Sequence, residues 1–152
     1  MEGLASSFVI GNTPSGLVVP VIVSPTWNVP ETIAISSNSE QSHPQDGPIE
    51  MKKLALEKNF AFPYLFDKTQ EVAHRYQAAC TPDFYLFDET LSLVYRGRYD
   101  DSRPGNQIPV SGKDLHQAAT LMLSKESQQT PQYPSMGCNI KWHSGNSPEE
   151  RQ

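Results

Sequence analysis

Cys80-Thr81-Pro82-Asp83-Phe84-Tyr85-Leu86-Phe87 is the stretch on which the fold turns. An apolar, aromatic-rich run after a Thr-Pro pair reads as a buried strand. Pro82 lacks an N–H, so it belongs at the strand's entrance and not inside the ladder. An X-Pro bond is also where a cis peptide is held at low cost, and the Thr81–Pro82 bond is expected to be cis. A thiol two residues before that turn is held firmly in place. The plain alternative is a strand start that carries a buried, inert cysteine.

The elements around this stretch follow from periodicity. Downstream, Leu91, Leu93 and Tyr95 alternate with Ser92, Val94 and Arg96, as in a strand with unlike faces. An Asp88-Glu89-Thr90 turn lies between the two strands, which makes a hairpin. Upstream, Phe62-Pro63-Tyr64-Leu65-Phe66 is a short apolar strand. Asp67, with Gln70 three residues on, resembles a capping box for a helix with Val72, Ala73 and Tyr76 on one face. Met51, Leu54, Ala55 and Lys58 place a half-buried helix over 48–58, with Pro48 in its first turn. Thr32-Ile33-Ala34-Ile35-Ser36 is a short β-branched strand, and 37–47 is a loop by composition. Ser111 and Asp114 mark the start of a last helix, carried by Leu115, Ala118, Ala119 and Met122 through about Ser124. The result is an α/β pattern with a mixed sheet.

Composition sets the outer bounds. A chain of 152 residues suggests one domain with a real core. A net charge of −5 with no basic block argues against a nucleic-acid partner. No apolar run approaches the ~18 residues of a membrane span, and no charged n-region precedes an apolar one as in a signal peptide. Two cysteines are too few for a disulfide framework and fit a reducing compartment, read here as the cytoplasm. His43, His74, His116 and His143 are scattered, so no metal site and no cofactor are expected. Thirteen prolines and a 37% hydrophobic content point to a smaller core with irregular flanks. Within residues 1–31, Leu17-Val18-Val19-Pro20-Val21-Ile22-Val23 looks like a strand interrupted by Pro20. Residues 135–142 are expected to dock on the domain and 143–152 to form a disordered tail.

Taken together, three stretches resemble the thioredoxin fold, and within it a peroxiredoxin-like branch of the alkyl hydroperoxide reductase/thiol-specific antioxidant family. They are Phe62-Pro63-Tyr64-Leu65 with Thr69-Gln70-Glu71-Val72-Ala73; Ala79-Cys80-Thr81-Pro82-Asp83-Phe84 through Tyr95-Arg96-Gly97; and Asp100-Asp101-Ser102-Arg103-Pro104-Gly105-Asn106. Ser135-Met136-Gly137-Cys138-Asn139-Ile140-Lys141-Trp142 is similar to the branch's C-terminal signature. The resemblance covers about 32–142. It implies a thioredoxin-like three-layer sandwich with a mixed sheet, incomplete at the N-terminus, where 1–31 is a divergent or replaced segment.

The chemistry implied by the family is thiol redox, acting on a thiol, disulfide or peroxide substrate. In that family a Cys-x-x-Cys pair sits at the start of the first helix, where the helix dipole lowers a thiol's pKa and the thiolate is the nucleophile. Here no cysteine precedes Cys80. Residues 24–31 are too few for a helical parallel crossover. The expectation is therefore a family member with weak or no catalysis, or a non-catalytic interaction module on the same scaffold. Cys80 is the candidate residual thiol, Thr81 and Pro82 the wall of the site, and Cys138 a second thiol. Asp100, Asp101, Arg103 and Asn106 form either a partner-facing surface loop or a self-capped turn in which Arg103 pairs with Asp100 or Asp101. A sheet face left open by the missing helix would favour self-association.

Overall fold

The computed structural model describes residues 32–128 and 131–150. The candidate strand over 17–23 and the rest of 1–31 lie outside the described residues. What is described is a small mixed α/β domain with few helices and small sheets.

Strand β1 (Ala34–Ser36) leads through a 3₁₀ turn (Pro44–Asp46) into helix α1 (Pro48–Glu57) and then strand β2 (Tyr64–Phe66). β1 and β2 pair in parallel, with Ala34 opposite Tyr64 and Ser36 opposite Phe66. A parallel pair needs a crossover, and α1 is that crossover. Pro48 occupies its first turn, Met51 is buried, and Lys58 is already beyond its end. Met51 and Ala55 of α1 line a shallow groove together with Phe62, Tyr64 and Phe66.

Helix α2 (Glu71–Arg75) follows, then strands β3 (Cys80–Thr81), β4 (Phe84–Phe87) and β5 (Leu93–Gly97), and helix α3 (Lys113–Leu123). The last strand, β6 (Cys138–Asn139), pairs antiparallel with β3. β4 and β5 form the expected hairpin, with an irregularity between Leu86 and Phe87. The Thr81–Pro82 peptide is cis, as expected.

The main core gathers Ala34, Phe84, Leu86 and Tyr95 under Leu115 and Ala118 of α3, with Phe62 and Tyr64 packed against it. Leu115, Ala118, Ala119 and Met122 all take part, so the helical spacing read for α3 holds. A second, smaller cluster joins Ala73 and Ala78 to Ile140 and Trp142.

Among the described residues the strands form three two-stranded pairs, one parallel and two antiparallel. Several expectations are corrected. Leu91 and Leu93 are exposed and only Tyr95 of that alternating set is buried. The reason is that α3 reaches the hairpin near Tyr95 and leaves the turn end bare. Asp67 and Gln70 make no capping box. Gln70 lies in the left-handed region (φ 62°), and the Asp67 carboxylate accepts from the Ala73 N–H at 3.0 Å and from the Ser37 hydroxyl at 2.9 Å.

The tail is corrected too. The His143 N–H donates to Gln70 Oε1 at 2.8 Å, and the Asn146 amide reaches the same oxygen at 2.7 Å. The Asn146 carbonyl lies 2.8 Å from the His74 ring. Residues 143–146 therefore continue the docked strap, because Gln70 offers a buried acceptor that the local sequence does not reveal. Residues 151–152 lie outside the described residues.

Candidate thiol site

The site is assembled from β3, the turn after it and β6. Pro82 closes β3 because it has no N–H to continue a ladder. Asp83 then turns the chain into β4, whose residues Phe84, Tyr85 and Leu86 are buried. β6 supplies the other wall. Gly137 is needed there, since a Cβ at that position would collide with the Thr81 carbonyl.

The register sets the relation of the two thiols. Cys80 lies opposite Asn139, and Thr81 lies opposite Cys138. Side chains directly opposite share a face, and successive side chains alternate. Cys80 and Cys138 therefore project to opposite faces of the β3–β6 pair. Both thiols are free. Cys80 is buried and Cys138 exposed.

Cys80 is held as a thiol. Burial pushes its pKa up to about 11, the Asp83 carboxylate adds to the rise, and Arg96 offsets only part of it. Its Sγ points to the Pro82 carbonyl at 3.8 Å. Beside it, the buried Thr81 Oγ1 has no hydrogen-bond partner among the described residues.

Asp83 is the buried centre of this corner. It accepts from the Tyr85 hydroxyl and from the Ser135 hydroxyl, each at 2.8 Å, and from Arg96 Nη2 at 3.3 Å. The Arg96 guanidinium also sits 5.2 Å over the Tyr85 ring and donates to the Gln77 carbonyl at 2.5 Å. Burial, then the neighbouring Asp83, raises the Tyr85 hydroxyl far above the ordinary tyrosine range. Cation, carboxylate and phenol thus satisfy one another. None of these three was singled out as a site residue from sequence, because an Asp after a proline and an Arg in a strand carry no signal by themselves.

The Asp100–Asn106 loop performs a separate task. The Asp100 carboxylate accepts from the N–H groups of Ser111 and Gly112, each at 2.6 Å, from the Ser102 N–H at 2.8 Å and from the Ser102 hydroxyl. Burial works to raise its pKa, and these hydrogen bonds outweigh burial and bring it down to about 2. Asp100 thereby holds the turn just before α3, while the Ser111 hydroxyl accepts from the Lys113 N–H, the first of the helix, at 3.4 Å. Asp114 binds Arg98 at 2.6 Å.

Asp101 pairs with Lys113 at 2.8 Å. Asn106 binds the Asp101 carbonyl at 2.6 Å, and its Oδ1 accepts from the Arg103 N–H at 3.1 Å. Arg103 pairs with neither Asp100 nor Asp101, as both carboxylates are engaged. Its guanidinium lies 3.5 Å from Met136 Sδ, next to the segment that carries Cys138. The self-capped turn is real, but its partners are backbone amides and α3.

Among the described residues no group of three or more His, Cys, Asp or Glu side chains could hold a metal ion, and no helix is long and apolar enough to cross a membrane.

Fold and site define a small mixed α/β domain with a buried thiol at a proline-marked strand entrance. No family model and no curated protein matches the chain. Solved structures do. An uncharacterised conserved protein from Geobacillus kaustophilus is 40% identical, with a TM-score of 0.74 over 85% of this chain and 78% of that one. A hypothetical protein, SMc02350, from Sinorhizobium meliloti 1021 is 45% identical, with a TM-score of 0.72 over 74% of this chain. This chain spans 62% of the length of the Sinorhizobium protein. The chain belongs to the same family as the Geobacillus protein.

Proposed function

We propose that residues 32–142 are a thioredoxin-like domain of the peroxiredoxin-like branch of the alkyl hydroperoxide reductase/thiol-specific antioxidant family, with weak or no thiol catalysis of their own. The order of elements supports the fold: a parallel β1–α1–β2 unit, then a short helix, an antiparallel hairpin and a last helix. A thiol, disulfide or peroxide is the substrate class to which such a scaffold relates, in the cytoplasm.

The reading of weak catalysis rests on the state of Cys80. Attack on a peroxide or disulfide needs the thiolate. A thiol with its pKa pushed up to about 11 has on the order of one thiolate per ten thousand molecules at pH 7. Resolution needs a second thiol, and Cys138, a diagonal neighbour across the strand pair that adds to the rise of the Cys80 pKa, alternates to the other face of that pair. The test is peroxide-dependent thiol consumption by the purified full chain and by Cys80→Ser. Consumption is expected near background and equal in the two. Turnover at the rate of a working peroxidase, lost in Cys80→Ser, would overturn the proposal.

The other reading is a non-catalytic interaction module on the same scaffold.

A further inference from the structure

Cys80 is 6% exposed, and one of its walls is the chain that leads into β6. Residues 132–135 run along the outer edge of β5. There the Gln132 side-chain amide stands in for one residue of a neighbouring strand. Its Oε1 accepts from the Arg96 N–H at 3.0 Å and its Nε2 donates to the Val94 carbonyl at 3.3 Å. The Tyr133 carbonyl accepts from the Arg98 N–H at 3.1 Å, and the Arg98 guanidinium lies 4.4 Å over the Tyr133 ring. Gly97 admits this carbonyl, since a Cβ there would collide with it. Ser135 then turns inward, and its hydroxyl donates to Asp83 Oδ1 at 2.8 Å. Two residues on, Gly137 lies against the Thr81 carbonyl. Burial, then Asp83, pushes the Cys80 thiol up, and a hydrogen bond from the Gly137 N–H works against that rise, so backbone of this segment rests on the sulfur.

The two ends of this segment are held unequally. Beyond Gly137 the chain is fixed by buried groups. Ile140 enters the smaller apolar cluster, the Lys141 N–H donates to Asn38 Oδ1, the Lys141 carbonyl accepts from the Ser39 N–H, and the His143 N–H donates to Gln70. Before Gly137 the Gln132 bonds lie at the surface, where water replaces either partner with little loss. The Ser135–Asp83 bond is the inward fastening of this weaker arm. It is releasable, because the Asp83 carboxylate keeps the Tyr85 hydroxyl and the Arg96 guanidinium when Ser135 leaves.

We propose that residues 132–137 form a flap over Cys80, latched shut by the Ser135 hydroxyl on Asp83, and that the thiol meets a reagent from solution only when this latch opens. The flap swings on Gly137, with β6 and the residues after it left in place. Opening removes the Gly137 backbone from the sulfur and lets water hydrate the thiolate, which burial otherwise disfavours. The inference stands on the contacts of this segment and does not depend on the family reading proposed above.

The experiment treats the full chain with iodoacetamide, and mass spectrometry separates alkylation at Cys80 from alkylation at Cys138. Ser135→Ala should speed the reaction of Cys80 on the order of tenfold or more, the usual worth of a hydrogen bond to a charged group. Ser135→Asp, which sets a second negative charge against Asp83, should speed it further, and Ser135→Thr, which keeps the hydroxyl, should restore the unaltered rate. In Ser135→Ala the amides of Arg96 and Arg98 should exchange faster with solvent, while those of Ser39 and Lys141 keep their protection. Local opening depends weakly on urea and global unfolding steeply, so the acceleration should persist with a shallow dependence on urea. An unchanged Cys80 rate in Ser135→Ala would overturn the proposal, as would an acceleration that tracks global unfolding in its urea dependence. A Ser135→Thr rate as high as that of Ser135→Ala would overturn it as well. Should Ser135→Asp fail to fold, Ser135→Ala and Ser135→Thr decide.

Discussion

Gln70→Ala should destabilise this domain by stranding buried polar groups on two separate segments. Gln70 is 0% exposed and uses both ends of its amide. Nε2 donates to the Ser37 carbonyl at 2.7 Å and to the Lys141 carbonyl at 2.9 Å. Oε1 accepts from the His143 N–H and from the Asn146 side chain. One side chain thus ties the loop after β1 to the strap after β6. On truncation the Lys141 carbonyl keeps its bond from the Ser39 N–H, and Asn146 keeps the Thr69 carbonyl. The Ser37 carbonyl and the His143 N–H lose the partners described here. Each buried group so stranded costs about 1–3 kcal/mol. Fraying of the strap lets water reach His143, so the total is about 2–5 kcal/mol, equivalent to a fall of about 10 °C in Tm. The backbone separates from the side chain by a second variant. Gln70 has a φ of 62°, which glycine adopts without strain, so Gln70→Gly should be about 1 kcal/mol more stable than Gln70→Ala. Urea unfolding measures both variants, and hydrogen exchange follows the amides of 138–146. A Gln70→Ala protein within about 0.5 kcal/mol of the unaltered chain, with the strap equally protected, would refute the reasoning.

Three further outcomes follow from the same geometry. Asp100 has its carboxyl depressed in the fold, so its contribution to stability is present above about pH 4 and is lost as the pH falls toward about 2. Acid unfolding of Asp100→Asn should lack that component, and an unchanged acid transition would count against the role of Asp100 in holding the turn before α3. Buried Cys80, with its thiol pushed up to about 11, should react with iodoacetamide at pH 7.5 far more slowly than exposed Cys138, and mass spectrometry of partly labelled chains would expose the reverse order. Gly137→Ala should cost about 1–3 kcal/mol by forcing β6 away from the Thr81 carbonyl, and a crystal structure or melting curve identical to that of the unaltered chain would disprove the tight contact.

The helices were legible because their apolar residues are local and periodic. Met51 and Ala55, and Leu115 with Ala118 and Met122, needed only their spacing to be assigned to the inner faces of α1 and α3. The cis Thr81–Pro82 bond and the hairpin of β4 and β5 were likewise visible in consecutive residues. The thiols were visible as residue types, and the burial of Cys80 was foreseen.

Relations across long sequence separations were decided only by the tertiary structure. Asp100 was read as one acid of a surface loop, yet it holds the turn that leads into α3 eleven and twelve residues away, because the chain returns the amides of Ser111 and Gly112 to it. Gln70 was read as half of a local capping box, yet its four partners lie up to 76 residues distant. Polar side chains are short and directional, so their partners depend on where the backbone returns and not on which residues are neighbours in sequence. The same holds for Cys80 and Cys138. That they project to opposite faces follows from a one-residue offset in strand register, which no count or spacing of cysteines encodes.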